Sequence, residues 1–84
     1  MYEIAFVMNN LQMKTSGKLK DIRSALVYFE QCLKSNDVKT AVLWKDDKAA
    51  IGFEAEKSQL YIYDFSESIL CYELGCIYKI IRER

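Results

Sequence analysis

The sequence contains no histidine and no proline. Without histidine the chain lacks the usual general base, the commonest metal ligand and the side chain that changes charge near neutral pH. Without proline, its turns must be shaped by three glycines and by Asn, Asp and Ser. Cysteine is also scarce. Cys32, Cys71 and Cys76 make an odd number, which argues for reduced thiols rather than a disulfide framework. With no fourth thiol and no imidazole, a zinc site within one chain is not expected, and a nucleophilic cysteine would lack its base. The three read as small buried hydrophobes.

Long apolar runs are missing as well. None approaches the roughly 20 residues that span a bilayer, and the apolar residues at the N-terminus have no basic flank of the signal-peptide kind. A cytoplasmic location without membrane contact is therefore expected. Formal net charge is zero, so no global field draws the chain to nucleic acid. The charges are unevenly placed. Residues 1–45 hold seven basic and four acidic side chains, and residues 46–78 hold two basic and seven acidic. Opposite halves of this kind compensate within a fold or between copies.

What is present belongs to one folded domain over 1–84. Hydrophobic residues make up 51% and charged residues 29%, the balance of a globular protein rather than a disordered one. The clearest pattern lies in residues 16–36. Leu19, Ile22, Leu26, Phe29 and Leu33 recur at three- and four-residue steps, one stripe of an α-helix widened by Ala25 and Cys32. Ser16 is the expected N-cap and Lys34 suits the C-terminal end. Before it, alternation predicts a strand over 2–8, a tight turn at Asn9-Asn10 and a return strand over 11–15. After it come strands over 38–45, 48–55 and 59–65, joined by short polar turns at Asp46-Asp47 and 56–58. Leu70, Leu74, Ile77 and Ile81 keep helical spacing in 66–84, against the cost of Gly75, and a strand pair bent near Gly75 is the alternative. The expected fold class is thus α+β, in the order β-β-α-β-β-β-α: a mainly antiparallel five-stranded sheet packed by two helices.

Two places carry candidate binding chemistry. One is the start of the predicted helix, where Lys14, Ser16, Gly17, Lys18 and Lys20 cluster. Lysines oppose the positive end of a helix dipole, so a group of them beside free backbone N–H groups is an anion site in outline. It is not a Walker A loop, because Leu19 follows Gly17-Lys18 where Ser or Thr is required. The other is the sheet face turned away from the helices. Strand alternation is read as placing Ala5, Val7, Ala41, Leu43, Ala50, Gly52, Tyr61, Tyr63 and Phe65 there. Leu43, Tyr61, Tyr63 and Phe65 are its candidate partner-binding residues, since apolar surface with tyrosines suits a protein interface.

No clustered acid–base set is visible, and Asp46, Asp47, Glu54 and Glu56 read as polar hairpin turns rather than a cation site. Neither an enzyme nor a cofactor is expected. The leading expectation is a small non-catalytic interaction module that docks on a larger protein or forms a homodimer. Richness in Lys, Ile, Tyr and Glu with few Gly and no Pro is common in low-GC bacteria and their phages, so an inhibitor or adaptor from a mobile element fits. The alternative is a phosphate-ligand or nucleic-acid binder using the basic helix start.

Overall fold

Tyr2, Ile4, Phe6 and Met8 alternate with smaller or polar residues and form the first strand, β1 (Tyr2–Met8). A computed structural model describes residues 1–63. β2 (Met13–Thr15) returns beside β1 and is followed by α1 (Ile22–Lys34), β3 (Val38–Lys45), β4 (Lys48–Glu54) and β5 (Gln59–Ile62). The strands form one antiparallel sheet in the order β2-β1-β3-β4-β5. The fold is therefore α+β, with one helix among the described residues. The helix expected over 66–84, together with Phe65, Cys71 and Cys76, lies outside them.

The connection between β1 and β2 departs from its expected chemistry. Asn9 and Asn10 occupy the centre of a turn closed by Leu11 N–H donating to Met8 O at 2.8 Å. The left-handed residue, however, is Leu11, at φ 69°. This is a three-residue hairpin loop, whose third position demands positive φ and ordinarily holds glycine. A Cβ in that conformation costs roughly 1–2 kcal/mol, and the Leu11 side chain is exposed, so no packing offsets the cost. Leu11→Gly is accordingly expected to stabilise the protein by about 0.5–1 kcal/mol, part of the relief being lost to the entropy of glycine. The midpoint of urea unfolding checks it.

The helix starts later than its stripe implies. Asp21, not Ser16, is the N-cap: its Oδ1 accepts from Ser24 N–H at 2.9 Å and its Oδ2 from the Ser24 hydroxyl at 3.0 Å. Ser16 is instead held beside β1, where its N–H donates to Ile4 O and its Oγ accepts from Ile4 N–H. Gly17, at φ 75°, turns the chain there. The Ser24 backbone N–H and then its hydroxyl hold the Asp21 carboxyl below the usual aspartate range. A depressed native value means that the cap contributes fully above about pH 4, the unfolded range, and that this contribution is lost as pH falls through the native value. Asp21→Asn should keep most of the stability at pH 7 and flatten its decline on acidification, as read from thermal midpoints between pH 2 and 6.

α1 lies across β1 and β3. Its buried residues Ala25, Leu26, Phe29, Cys32 and Leu33 meet Ile4, Val38, Ala41, Leu43, Ala50, Ile51, Phe53 and Leu60 of the sheet in one cluster. Register explains the set. Ile4 stands opposite Leu43 and Phe6 opposite Ala41, while Leu43 and Ala41 in turn stand opposite Ile51 and Phe53. Partners directly across a ladder share a face. Two register shifts interrupt the alternation. Lys39 is the extra residue between Val38 and Thr40, and Ala50 between Ala49 and Ile51. The first is what brings Val38 to the α1 side although Thr40 is on the other.

Candidate functional site

The face away from α1 carries Glu3, Ala5 and Val7 from β1, Met13 and Thr15 from β2, and Thr40, Val42 and Trp44 from β3. Gly52, Glu54, Gln59 and Tyr61 continue it across β4 and β5. Tyr63 extends it past the end of β5. Its ring lies over Gly52, so close that a Cβ on that glycine would stand 3.2 Å from Tyr63 Cε2. The position is thus a seat for the Tyr63 ring. No described element packs on this face.

The surface is apolar at its centre and polar at one margin. Val7, Val42, Trp44 and Tyr61 are half-buried within it, while Met13 at one edge is 77% exposed and Tyr63 at the other 60%. At the β5 margin the Tyr61 hydroxyl donates to Glu54 Oε2 at 2.9 Å, with Gln59 Oε1 at 3.3 Å. The carboxylate of Glu54 stabilises the protonated phenol and raises the Tyr61 pKa. This bond fixes the ring while its apolar flank stays available, an arrangement common among interface tyrosines.

The expected membership of this face needs correction. Leu43 is 0% exposed and sits under α1 with Ala41, and Ala50 of β4 is buried in the same cluster. Leu43 cannot touch a partner in the folded protein. The residues facing outward from β3 are Thr40, Val42 and Trp44 instead. Ala5, Val7, Gly52, Tyr61 and Tyr63 are on the outer face as expected; Phe65 lies outside the described residues. Trp44 is the large side chain that sequence reasoning missed. Its signal was there, because tryptophan is more often partly exposed than fully buried.

The basic candidates are placed differently from their outline. Lys14, Lys18 and Lys20 are solvent-facing, but the backbone between them is already engaged. Gly17 N–H donates to Thr15 Oγ1 at 2.9 Å, and Leu19 exchanges two backbone hydrogen bonds with Tyr2. Ser16 Oγ both accepts from Ile4 N–H and donates to Gly17 O. None of these residues stands at the helix N-terminus, which Asp21 closes with its own carboxylate. What is left is three flexible ammonium groups, without the N–H cradle that the anion reading required.

Further concavities lie elsewhere on the described surface, two of them beside candidate residues or α1. A shallow groove of about 330 Å³ runs along α1 between Arg23, Ser24, Val27, Tyr28 and Gln31. A larger one of about 680 Å³ lies among Met1, Tyr2, Glu3, Lys18, Asp46 and Asp47, where the terminal ammonium donates to Asp46 Oδ1 at 2.7 Å. The charges in the second are mixed. Among the described residues no three acidic, cysteine or histidine side chains converge as a metal site. Burial pushes the Cys32 thiol up to about 11, away from nucleophilic use. Among them, too, no helix is long and apolar enough to cross a membrane.

The described residues form a small α+β fold whose sheet carries, on the face away from α1, an apolar surface over which no described element packs. No family model, curated protein or solved structure matches the chain.

Proposed function

We propose that the protein is a non-catalytic interaction module that docks through the outer face of its sheet. The observation that carries this reading is the apolar strip formed by Val7, Val42, Trp44, Tyr61 and Tyr63, over which no described element packs. Surfaces of this composition on a small domain are interaction sites, and aromatic residues supply most of the energy of such interfaces. The Glu3, Glu54 and Gln59 side chains give the strip a polar margin suited to fixing orientation. The partner is a larger protein, with the module acting as an inhibitor or adaptor in a reducing cytoplasm, or a second copy of the same chain. The composition favours a phage or mobile-element setting.

Sedimentation velocity separates the two partners. If the second copy is the occupant, the sedimentation coefficient rises with concentration in the wild type and stays at the monomer value in Tyr63→Asp. If the occupant is another protein, both remain monomeric, and the comparison passes to complexes formed in the native host. Self-association that survives both Tyr63→Asp and Val42→Asp would contradict the proposed face.

A further inference from the structure

Register divides the charged side chains of the strands between the two faces of the sheet. Lys14 stands opposite Phe6, and Lys45 stands opposite Tyr2 and Lys48, so these lysines share the α1 side with Phe6 and Tyr2. Lys39, the extra residue of its bulge, lies at the end of the sheet beside Asn9, Asn36 and Glu56. The charged residues that register places on the outer face are Glu3, opposite Trp44, and Glu54, opposite Thr40. They stand at diagonal corners of the apolar strip, separated along β3 by the step from Thr40 to Trp44 and across the sheet by the step from β1 to β4, about 16 Å in all. Both carboxylates are held by hydroxyls: Glu3 accepts from Thr15 Oγ1 at 3.1 Å and Glu54 from the Tyr61 hydroxyl at 2.9 Å. Lys57 comes only to 4.0 Å from Glu54, with a side chain 64% exposed, a pairing worth little in water. Lys18 borders the same concavity as Glu3 but forms no ion pair with it.

We infer that the outer face takes a basic amphipathic helix of another protein, its apolar stripe on Val42 and its lysines or arginines on Glu3 and Glu54. The inference rests on the docking reading and chooses between the two partners that reading allows. A second copy meeting this face with its own would bring four carboxylates together and no lysine from either sheet face, and like charges across a contact reject a partner. A basic partner turns the same two groups into attraction. The geometry suits a helix. With its axis along the diagonal from Glu3 to Glu54, Val42 lies beneath it, Val7 on one flank, and Trp44 and the Tyr63 ring on the other. A helix is about 10–12 Å across, so its stripe meets both flanks, and about 16 Å is three turns, so cations about 11 residues apart return to one side of it. α1 already lies across β1 and β3 on the opposite face, and a docked helix would complete a second layer.

The test titrates the full chain with two synthetic helical peptides that share a leucine stripe and differ only in carrying Lys or Glu at two positions about 11 residues apart. Binding is read from the fluorescence of Trp44, the one tryptophan in the chain. The wild type should bind the Lys peptide about tenfold more tightly than the Glu peptide, with the difference shrinking as salt is added. Glu3→Gln/Glu54→Gln keeps an oxygen for Thr15 and Tyr61 while removing both charges, and should bind the two peptides alike. Equal binding of the two peptides by the wild type, a preference that persists in the Gln variant, or binding of neither peptide would overturn the inference. So would concentration-dependent sedimentation of the wild type that Tyr63→Asp abolishes, which would give the face to a second copy. Lys-peptide binding that survives Tyr63→Asp would instead remove the docking face itself.

Discussion

Replacing Phe29 with alanine is expected to cost about 3–5 kcal/mol, the range for a large aromatic removed from a closed core. Phe29 is at 0% exposure in the middle of the α1 stripe, and the cluster around it joins the helix to β1, β3 and β4. A domain of this size has only about 5–10 kcal/mol to lose, so Phe29→Ala should lose most of its cooperative stability at 25 °C. Urea unfolding followed by far-UV circular dichroism gives the answer. Val27→Ala, two positions away on the same helix but 55% exposed, should stay within about 0.5 kcal/mol of wild type. Equal effects at the two positions would mean that α1 presents another face to the sheet.

A larger difference is expected between two adjacent residues of β3. Leu43→Asp places a carboxylate at a site with no exposure, between Ile4 and Ile51 in register. An unpaired buried charge costs more than the whole stability of such a domain, and this variant should give no cooperative transition. Val42→Asp puts the same group on the opposite face, between Ala5 and Gly52. There it meets water, and the cost should be about 1–2 kcal/mol, mostly lost strand preference. Circular dichroism at 25 °C separates the two outcomes directly. A folded Leu43→Asp beside an unfolded Val42→Asp would invert the faces of the sheet.

That pair also marks where sequence reasoning stopped. Alternation in residues 38–45 states which side chains share a face, and it grouped Thr40, Val42 and Trp44 correctly against Ala41 and Leu43. It does not state which face is buried, because Val42 and Trp44 are as apolar as Ala41 and Leu43. The decision comes from pairing: Ile4 lies opposite Leu43, and only the register reveals it. The extra residues Lys39 and Ala50 leave no mark in composition, yet they move Val38 into the core. The helix was legible because its stripe is regular over several turns. Its start was not, since Ser16 and Asp21 are both good caps and the choice depends on Ser16 having a tertiary partner in Ile4. The same competition displaced the anion site. Its lysines are where the sequence put them, but the N–H groups meant to accompany them serve the edge of the sheet.

The outer face therefore rests on Tyr61 and Tyr63, as expected, joined by Val42 and Trp44 in place of Leu43. Tyr63 is expected to dominate any docking energy: it is the most exposed aromatic described, and its ring is seated on Gly52. Truncating an interface aromatic of this kind commonly costs 2 kcal/mol or more, about a thirtyfold loss of affinity.

The most direct test of the docking face is retention of host proteins by the immobilised full chain, compared across three folded variants. The account predicts a specific protein, or a second copy of the chain, retained by the wild type and by Lys18→Glu/Lys20→Glu, and lost from Val42→Asp and from Tyr63→Asp. Retention that survives both outer-face substitutions and disappears with the two lysines would contradict it and return the function to the basic segment before α1.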